Sequence, residues 1–195
     1  MHVEDWSAHG TAVLVDESFL DFVKGGEQES AMPTALTRPN VLVLRSATKI
    51  FAMPGLRFGF GVGEPSTIGS IDAARDGWSV NQLAQVAAQA AYQDAEFLQS
   101  TWAWLQPERI FVRKAWQRQR AVRVWPSSVN FVLLQFDHES NARRVDQSLR
   151  QQGMHLRDCS DFRGLGPAYR RIAIRSHAEN ALLAMRCSRL LDGEE

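Results

Sequence analysis

The sequence has few cysteines, few lysines and no long hydrophobic run. Its only cysteines are Cys159 and Cys187, and its only lysines are Lys24, Lys49 and Lys114. The two cysteines lack metal-binding spacing, so they are predicted to be buried thiols. No apolar run approaches the ~20 residues that a membrane-spanning helix requires. The 22 basic and 22 acidic residues cancel, so total charge gives no reason to expect nucleic acid or an acidic membrane as a partner.

The remaining bulk features are those of an ordinary globular protein. Hydrophobic residues make up 45% of the 195 positions and charged residues 23%, enough for one large or two small domains. The first residues, Met-His-Val-Glu-Asp-Trp, have neither the basic start nor the apolar core of a secretory signal. The histidines are scattered without ligand spacing. We therefore expect a cytoplasmic protein without a metal site.

Three short apolar runs predict buried strands in the first half, at residues 12–15, 41–44 and 58–62. Continuous apolar strands are typical of parallel sheets that are covered on both faces, which predicts an α/β fold. Ligands in such sheets bind beyond the carboxyl ends of the strands. Asp16 follows the first run and residues 46–49 follow the second, so we expect these two segments to converge on one site.

The second half has a different pattern. A helix is predicted over 80–91 with Ser79 as its cap, followed by one or two long helices over 96–123 that are interrupted or started at Pro107. Alternating strands and helices then predict a small α+β domain, with strands at 124–125, 130–136 and 169–175 and helices at 140–152 and 178–191. The domain boundary is expected at about 95–120, which gives domains 1–100 and 101–195.

One motif combines an amine with groups that bind phosphate. Lys49 follows Ser46 and Thr48 directly after the second apolar run, and Arg57 lies between Gly55 and Gly59. Hydroxyls and a guanidinium donate hydrogen bonds to phosphate oxygens, and glycines let the backbone approach a ligand closely. The spacing therefore indicates a lysine beside a bound phosphate group, although a lone lysine is more often a surface residue.

These segments resemble a known enzyme family. The resemblance is carried by Val15 to Phe22, by the segment 46–59, by Trp78-Ser79-Val80-Asn81, and by the segments 158–160 and 169–175. Together they are similar to the fold-type I enzymes that depend on pyridoxal 5'-phosphate (PLP), in the class I/II aminotransferase group. Within that group the chain resembles most the threonine-phosphate decarboxylase branch of cobalamin biosynthesis, which is related to histidinol-phosphate aminotransferase.

The resemblance implies a fold, a cofactor and a set of site residues. Residues 1–100 would form the C-terminal part of the PLP-binding large domain, with an incomplete, mostly parallel sheet, and 101–195 the small C-terminal domain. The partners implied are a small phosphorylated amino acid and either a second copy in a homodimer or a complementing N-terminal half. Carried over by position, the implied roles are Lys49 as covalent anchor and proton shuttle, Asp16 at the pyridine nitrogen, Ser46, Thr48 and Arg57 at the cofactor phosphate, Arg171 at the substrate carboxylate, and Arg175 at a substrate phosphate.

Two features depart from the family pattern. Many aminotransferases have a tyrosine three residues after the pyridine-facing aspartate, where this chain has Phe19, which cannot bond the ring hydroxyl. In addition, only 15 residues precede Asp16, whereas family members carry an N-terminal half with further pocket residues. The expectation is a truncated product, a misplaced start, or one half of a split enzyme.

The same residues suit more than one reaction. The resemblance favours decarboxylation of L-threonine O-3-phosphate to an aminopropanol phosphate. One alternative is an aminotransferase of the histidinol-phosphate type. Another is a non-catalytic remnant that needs a partner for the missing half. The bond that stands perpendicular to the cofactor ring decides between the first two, and sequence motifs do not specify it.

Overall fold

The computed structural model of the chain describes residues 3–193. Met1 and His2, which belong to the N-terminal segment without signal features, lie outside the described residues. The chain divides into two compact units, Met1–Gln99 and Ser100–Glu195. Within the described range, no helix is both long and apolar enough to cross a membrane.

A three-stranded sheet forms the centre of the first unit. Its strands, in spatial order, are β1 (Val13–Asp16), β2 (Val41–Ser46) and β3 (Gly59–Gly63). β1 runs parallel to β2, while β3 runs antiparallel to it. The predicted α/β class is confirmed. The sheet is mixed, with one parallel and one antiparallel pairing among the described strands.

Short helices and 3-10 turns surround this sheet. The five helices are α1 (Val3–Ala8), α2 (Met32–Ala35), α3 (Ala47–Ile50), α4 (Pro65–Ala74) and α5 (Gln82–Gln93). Ser79 is not the cap of α5, contrary to the sequence prediction. Asn81 takes that role because it directly precedes the helix, and its side chain accepts a 2.8 Å hydrogen bond from the Ala84 N–H. The Ser79 hydroxyl instead accepts a hydrogen bond from Arg75.

The core of the first unit lies on one face of β2. Val41 and Val43 are fully buried with Ala35, and half-buried side chains that include Val15 and Val62 pack against them. The alternation of β2 also buries Arg45, the next residue in this series, at 7% exposure. A charged side chain therefore lies at the end of an otherwise apolar strand face.

The second unit contains a four-stranded antiparallel sheet in the order β4-β5-β7-β6. Helices α7 and α8 follow strands of this sheet, and α8 begins with a capping box between Ser176 and Glu179. α6 (Ala95–Gln117) begins in the first unit and continues into the second. The remaining elements of the second unit are β4 (Val122–Val124), β5 (Phe131–Phe136), α7 (Glu139–Gln151), β6 (Arg157–Asp158), β7 (Tyr169–Ala173) and α8 (His177–Asp192).

The course of α6 differs from the sequence prediction in two ways, at Pro107 and at its C-terminal end. The helix continues through Pro107 without a break, although proline removes one backbone donor there. Its buried face, which includes Leu105, Val112 and Trp116, spans the proline, so packing on both sides holds the helix together. The helix ends at Gln117 rather than extending to Arg123, because Val122–Val124 pairs with β5 as a strand.

One arginine lies in the core of the second unit. Arg170 on β7 is 2% exposed, on the same face as Ile172, and its Nε lies 2.7 Å from Asp146 Oδ2. A second contact of 3.4 Å reaches Asp158, and Nη1 donates to two backbone carbonyls. Ile172 on β7 and Ile174 just beyond its end are both buried. The sequence reasoning missed Arg170, although it lies two residues before Ile172 in the same alternation.

The buried thiol of Cys187 is expected to make the folded protein less stable at alkaline pH. Burial, with a smaller effect of the Asp146 charge, raises the pKa of this fully buried thiol from 9.0 to about 12. The folded pKa lies above the unfolded one, so the stabilisation is complete below pH 9 and falls as pH rises toward 12. The slope is at most about 1.4 kcal/mol per pH unit. Urea unfolding should show this slope in the native chain and lose that component in Cys187→Ala; equal slopes in both would contradict it.

Candidate active site

The parallel pairing of β1 and β2 brings two predicted site segments to the same edge of the first sheet. Asp16 is the last residue of β1 and Ser46 the last of β2. In the ladder Asp16 lies opposite Leu44, so β2 extends two residues further than β1 at this edge. The chain continues from Ser46 into α3, which carries Lys49.

α3 presents the amine of Lys49 and buries its neighbours. Ala47 and Ile50 anchor the helix in the core, while Lys49 is exposed. Its Nζ donates a long hydrogen bond of 3.3 Å to the hydroxyl of Thr48, which lies 2.7 Å from the Ser46 hydroxyl. The amine is thus accessible and adjoins two clustered hydroxyls, as the motif predicts.

Asp16 is held in its ionised form near this amine. The Ser18 side chain and backbone N–H bond the carboxylate, the latter at 2.9 Å, and these bonds lower the pKa of Asp16. Slight burial raises the pKa, and the positive charge of Lys49 lowers it further. The Lys49 charge is the smallest of these influences on the Asp16 pKa, and it acts between residues that are 33 positions apart in the sequence.

Phe19 contributes an aromatic face to the same cluster. The Nζ of Lys49 lies 5.9 Å from the centroid of its ring, within the range of a cation–π interaction. Phe22 stacks on Phe19 at 6.1 Å between centroids. The side chain that departs from the family pattern therefore contacts the proposed anchor lysine directly.

Arg57 approaches this edge from β3. Gly59 pairs with Ser46 across the antiparallel ladder, which places Arg57 two residues before that pair. A Cβ on Gly59 would lie 2.8 Å from the Arg45 carbonyl oxygen, so only glycine fits there. Arg57 itself is exposed, adopts a left-handed backbone with φ 57°, and donates a 2.8 Å bond to the Pro54 carbonyl. Such strained backbone is common near functional sites.

A buried ionic cluster beneath the site escaped the sequence analysis. Arg45, which directly precedes Ser46, forms ion pairs with Glu17 and Asp21. Glu17 in turn directly follows Asp16. The available signal was a charged residue at a position whose alternation with Val41 and Val43 predicts burial.

The predicted substrate arginines lie in the second unit. Arg171 on β7 stacks its guanidinium 4.8 Å from the centroid of Phe131. It lies opposite Arg157 in the β6–β7 ladder, so this sheet face carries two guanidinium groups. Arg175 is largely exposed and bonds Glu179 at 2.7 Å. The sequence reasoning did not select Arg157, because a two-residue strand has no detectable periodicity.

Comparison with known proteins extends over nearly the whole chain. The family model described as aminotransferase class I and II matches residues 3–190. Threonine-phosphate decarboxylase of Salmonella typhimurium is 33% identical over 182 residues, which cover 93% of this chain and 49% of that protein. Histidinol-phosphate aminotransferase of Methanococcus maripaludis is 30% identical over 168 residues, which cover 86% of this chain and 45% of that protein.

The fold shows the same relationship. The crystal structure of L-threonine-O-3-phosphate decarboxylase from Porphyromonas gingivalis superposes with a TM-score of 0.84 at 28% identity. The match covers 97% of this chain and 57% of that structure. The chain thus spans about half the length of the curated relatives it matches.

Proposed function

The chain belongs to the class I and II aminotransferase family, and from this premise we propose that it forms the lysine-bearing part of a PLP-dependent enzyme. The single observation that carries the proposal is the cluster at the end of β1 and β2. It combines an exposed amine at Lys49, an ionised carboxylate at Asp16 and the hydroxyl pair of Ser46 and Thr48. Each of these groups matches one chemical requirement of the cofactor.

The chemistry of the donor set fits PLP. An accessible primary amine suits the cofactor aldehyde, and the two hydroxyls and Arg57 suit its phosphate. A carboxylate whose pKa is lowered stays ionised and suits a protonated pyridine nitrogen. Phe19 offers an apolar ring face in place of a hydroxyl.

In the proposed enzyme these residues bind, orient and move protons. Bound PLP supplies an electron sink for the pair released when a bond at the substrate α-carbon breaks. Asp16 keeps the pyridine nitrogen protonated, and Ser46, Thr48 and Arg57 hold the phosphate. Lys49 anchors the cofactor and carries the proton to or from the α-carbon.

We assign the substrate contacts to the second unit. Arg171 binds the substrate carboxylate, and Arg157, opposite it in the ladder, adds a second cation to the same sheet face. Arg175 is a weaker candidate for a substrate phosphate, because it must exchange its bond with Glu179. We further propose that the unit Met1–Gln99 is part of the cofactor-binding domain and that the unit Ser100–Glu195 is the small domain.

The proposed reaction is decarboxylation of L-threonine O-3-phosphate to an aminopropanol phosphate in the cytoplasm. Support comes from the threonine-phosphate decarboxylases among the similar proteins. Because the chain spans about half of those proteins, we further propose that it works as a homodimer or with a complementing N-terminal half. Amino-group transfer is the second candidate, since histidinol-phosphate aminotransferases reach 35% identity.

Product analysis separates these candidates. The purified chain with PLP and L-threonine O-3-phosphate is expected to release carbon dioxide and one equivalent of the amine phosphate. A ketone product without carbon dioxide, or transfer only from histidinol phosphate, would contradict the decarboxylase proposal. If neither reaction occurs until a separate N-terminal half of a relative is added, the chain is the partner-dependent remnant.

A further inference from the structure

We propose that Arg45 is a positioning residue that ties the end of β1, which carries Asp16, to the end of β2, which leads into the helix that carries Lys49. The role of Arg45 rests on the proposed function, which assigns Asp16 and Lys49 to one cofactor. The contacts that Arg45 makes are a property of the fold and do not depend on that function. Arg45 immediately precedes Ser46, and its partner Glu17 immediately follows Asp16. One guanidinium therefore links both segments that carry the site.

All three guanidinium nitrogens of Arg45 make contacts. Nε donates to Glu17 Oε2 at 2.8 Å, Nη1 pairs with Asp21, and Nη2 reaches the Ser30 hydroxyl at 3.4 Å. The three partners come from the segment that follows β1. A planar, multiply bonded cation fixes orientation as well as distance, which a lysine at the same place would not.

Glu17 is held equally firmly. Its Oε2 also accepts a 2.8 Å bond from the Ser30 hydroxyl, and its Oε1 accepts a 2.7 Å bond from the Ala31 N–H. Both Glu17 and Arg45 are nearly excluded from solvent, at 6% and 7% exposure. The cluster thus closes the loop between β1 and α2 onto the end of β2.

The cluster depends on Arg45 for its charge balance. Glu17, which is buried, and Asp21, which is half-buried, share this cation. Burial raises the pKa of Asp21, with Arg45 opposing the rise and Glu27 adding to it. Without Arg45, two like charges would face each other with little access to solvent, and the segment after β1 would have to move outward. Phe19 lies in that segment and Asp16 directly precedes it, so the placement of both against Lys49 would change with it.

The test compares two buried arginines of similar chemistry. Arg45→Met removes the proposed positioning residue, while Arg170→Met removes an arginine that pairs with two acids in the other unit. Both variants are studied at a temperature where circular dichroism shows them folded. Arg170→Met therefore controls for destabilisation alone. Should Arg45→Met not fold, Arg45→Lys replaces it, because one ammonium cannot hold all three partners.

The first readout needs no cofactor. The Asp16 carboxyl is titrated by carbon NMR in the chain alone, with Asp16→Asn used for assignment. Because the Ser18 bonds are the largest cause of the low Asp16 pKa, movement of the segment after β1 is expected to weaken them and to raise this pKa toward the ordinary value in Arg45→Met and Arg45→Lys, whereas Arg170→Met keeps the native value. An unchanged Asp16 titration in the Arg45 variants would overturn the proposal, as would an equal shift in Arg170→Met.

The second readout uses PLP itself. The rate at which borohydride traps PLP on Lys49 is expected to fall about 10²-fold in Arg45→Met, the cost of a misplacement near 1 Å, and to keep its native value in Arg170→Met. If PLP is trapped neither by the native chain alone nor after an N-terminal half of a relative is added, the proposed function fails, yet the Asp16 titration still decides the role of Arg45. Equal trapping rates in the native chain and Arg45→Met would overturn the positioning role.

Discussion

Replacement of Lys49 by alanine is expected to abolish covalent capture of PLP by this chain. Alanine has no amine, so no bond to the cofactor aldehyde can form at this position. The measurement is mass spectrometry of the protein after incubation with PLP and borohydride reduction. The native chain should gain one cofactor mass, which peptide mapping should locate on residue 49, and Lys49→Ala should gain none.

The small number of lysines makes this experiment well controlled. Lys24 and Lys114 are the only other lysines, and their alanine variants should retain full labelling at Lys49. Labelling that persists in Lys49→Ala at the native level, or that lies on Lys24, would contradict the proposed anchor. A native chain that is labelled only after an N-terminal half of a relative is supplied would identify that half as part of the cofactor site.

Loss of Arg170 is expected to destabilise the second unit by about 3–5 kcal/mol, since removal of one partner leaves a buried charge uncompensated. Asp146 is 8% exposed and pairs with Arg170 at 2.7 Å, so solvent has little access to replace that contact. Urea unfolding of Arg170→Met, followed by tryptophan fluorescence, measures the loss.

The neighbouring residue supplies a matched control. Arg171 lies on the opposite face of β7, half-buried against Phe131, and Arg171→Met should cost less than about 1 kcal/mol. Adding Asp146→Asn to Arg170→Met should restore part of the stability, because no bare charge remains. Equal losses for Arg170→Met and Arg171→Met would show that the buried ion pair is not what stabilises this sheet.

Local patterns predicted much of the fold and one part of the site. The apolar runs located β1, β2 and β3 to within one or two residues, because buried strands must be continuously apolar. Helix ends were less predictable. Asn81 rather than Ser79 caps α5, and α6 ends six residues early, because strand pairing of Val122–Val124 competes with helix extension.

Only the tertiary structure revealed the two buried arginines. The carboxylate partners of Arg45 lie 28 and 24 positions away, and the shorter ion pair of Arg170 joins it to Asp146, 24 positions away. Such pairings depend on which strands adjoin and in which register, and a slip of one residue would turn either side chain to the other face. No local window of sequence contains that information.

By itself the sequence determined the chemical inventory of the proposed site, because the order of Ser46, Thr48, Lys49 and Arg57 is set by covalent spacing along one strand–helix segment. The tertiary structure decided which residues from other parts of the chain lie close to these groups. Parallel pairing of β1 with β2 sets Asp16 near Lys49, and the Arg45 cluster closes the loop that carries Phe19. The physical reason is that catalysis requires ångström-scale proximity between distant residues, which only long-range packing produces.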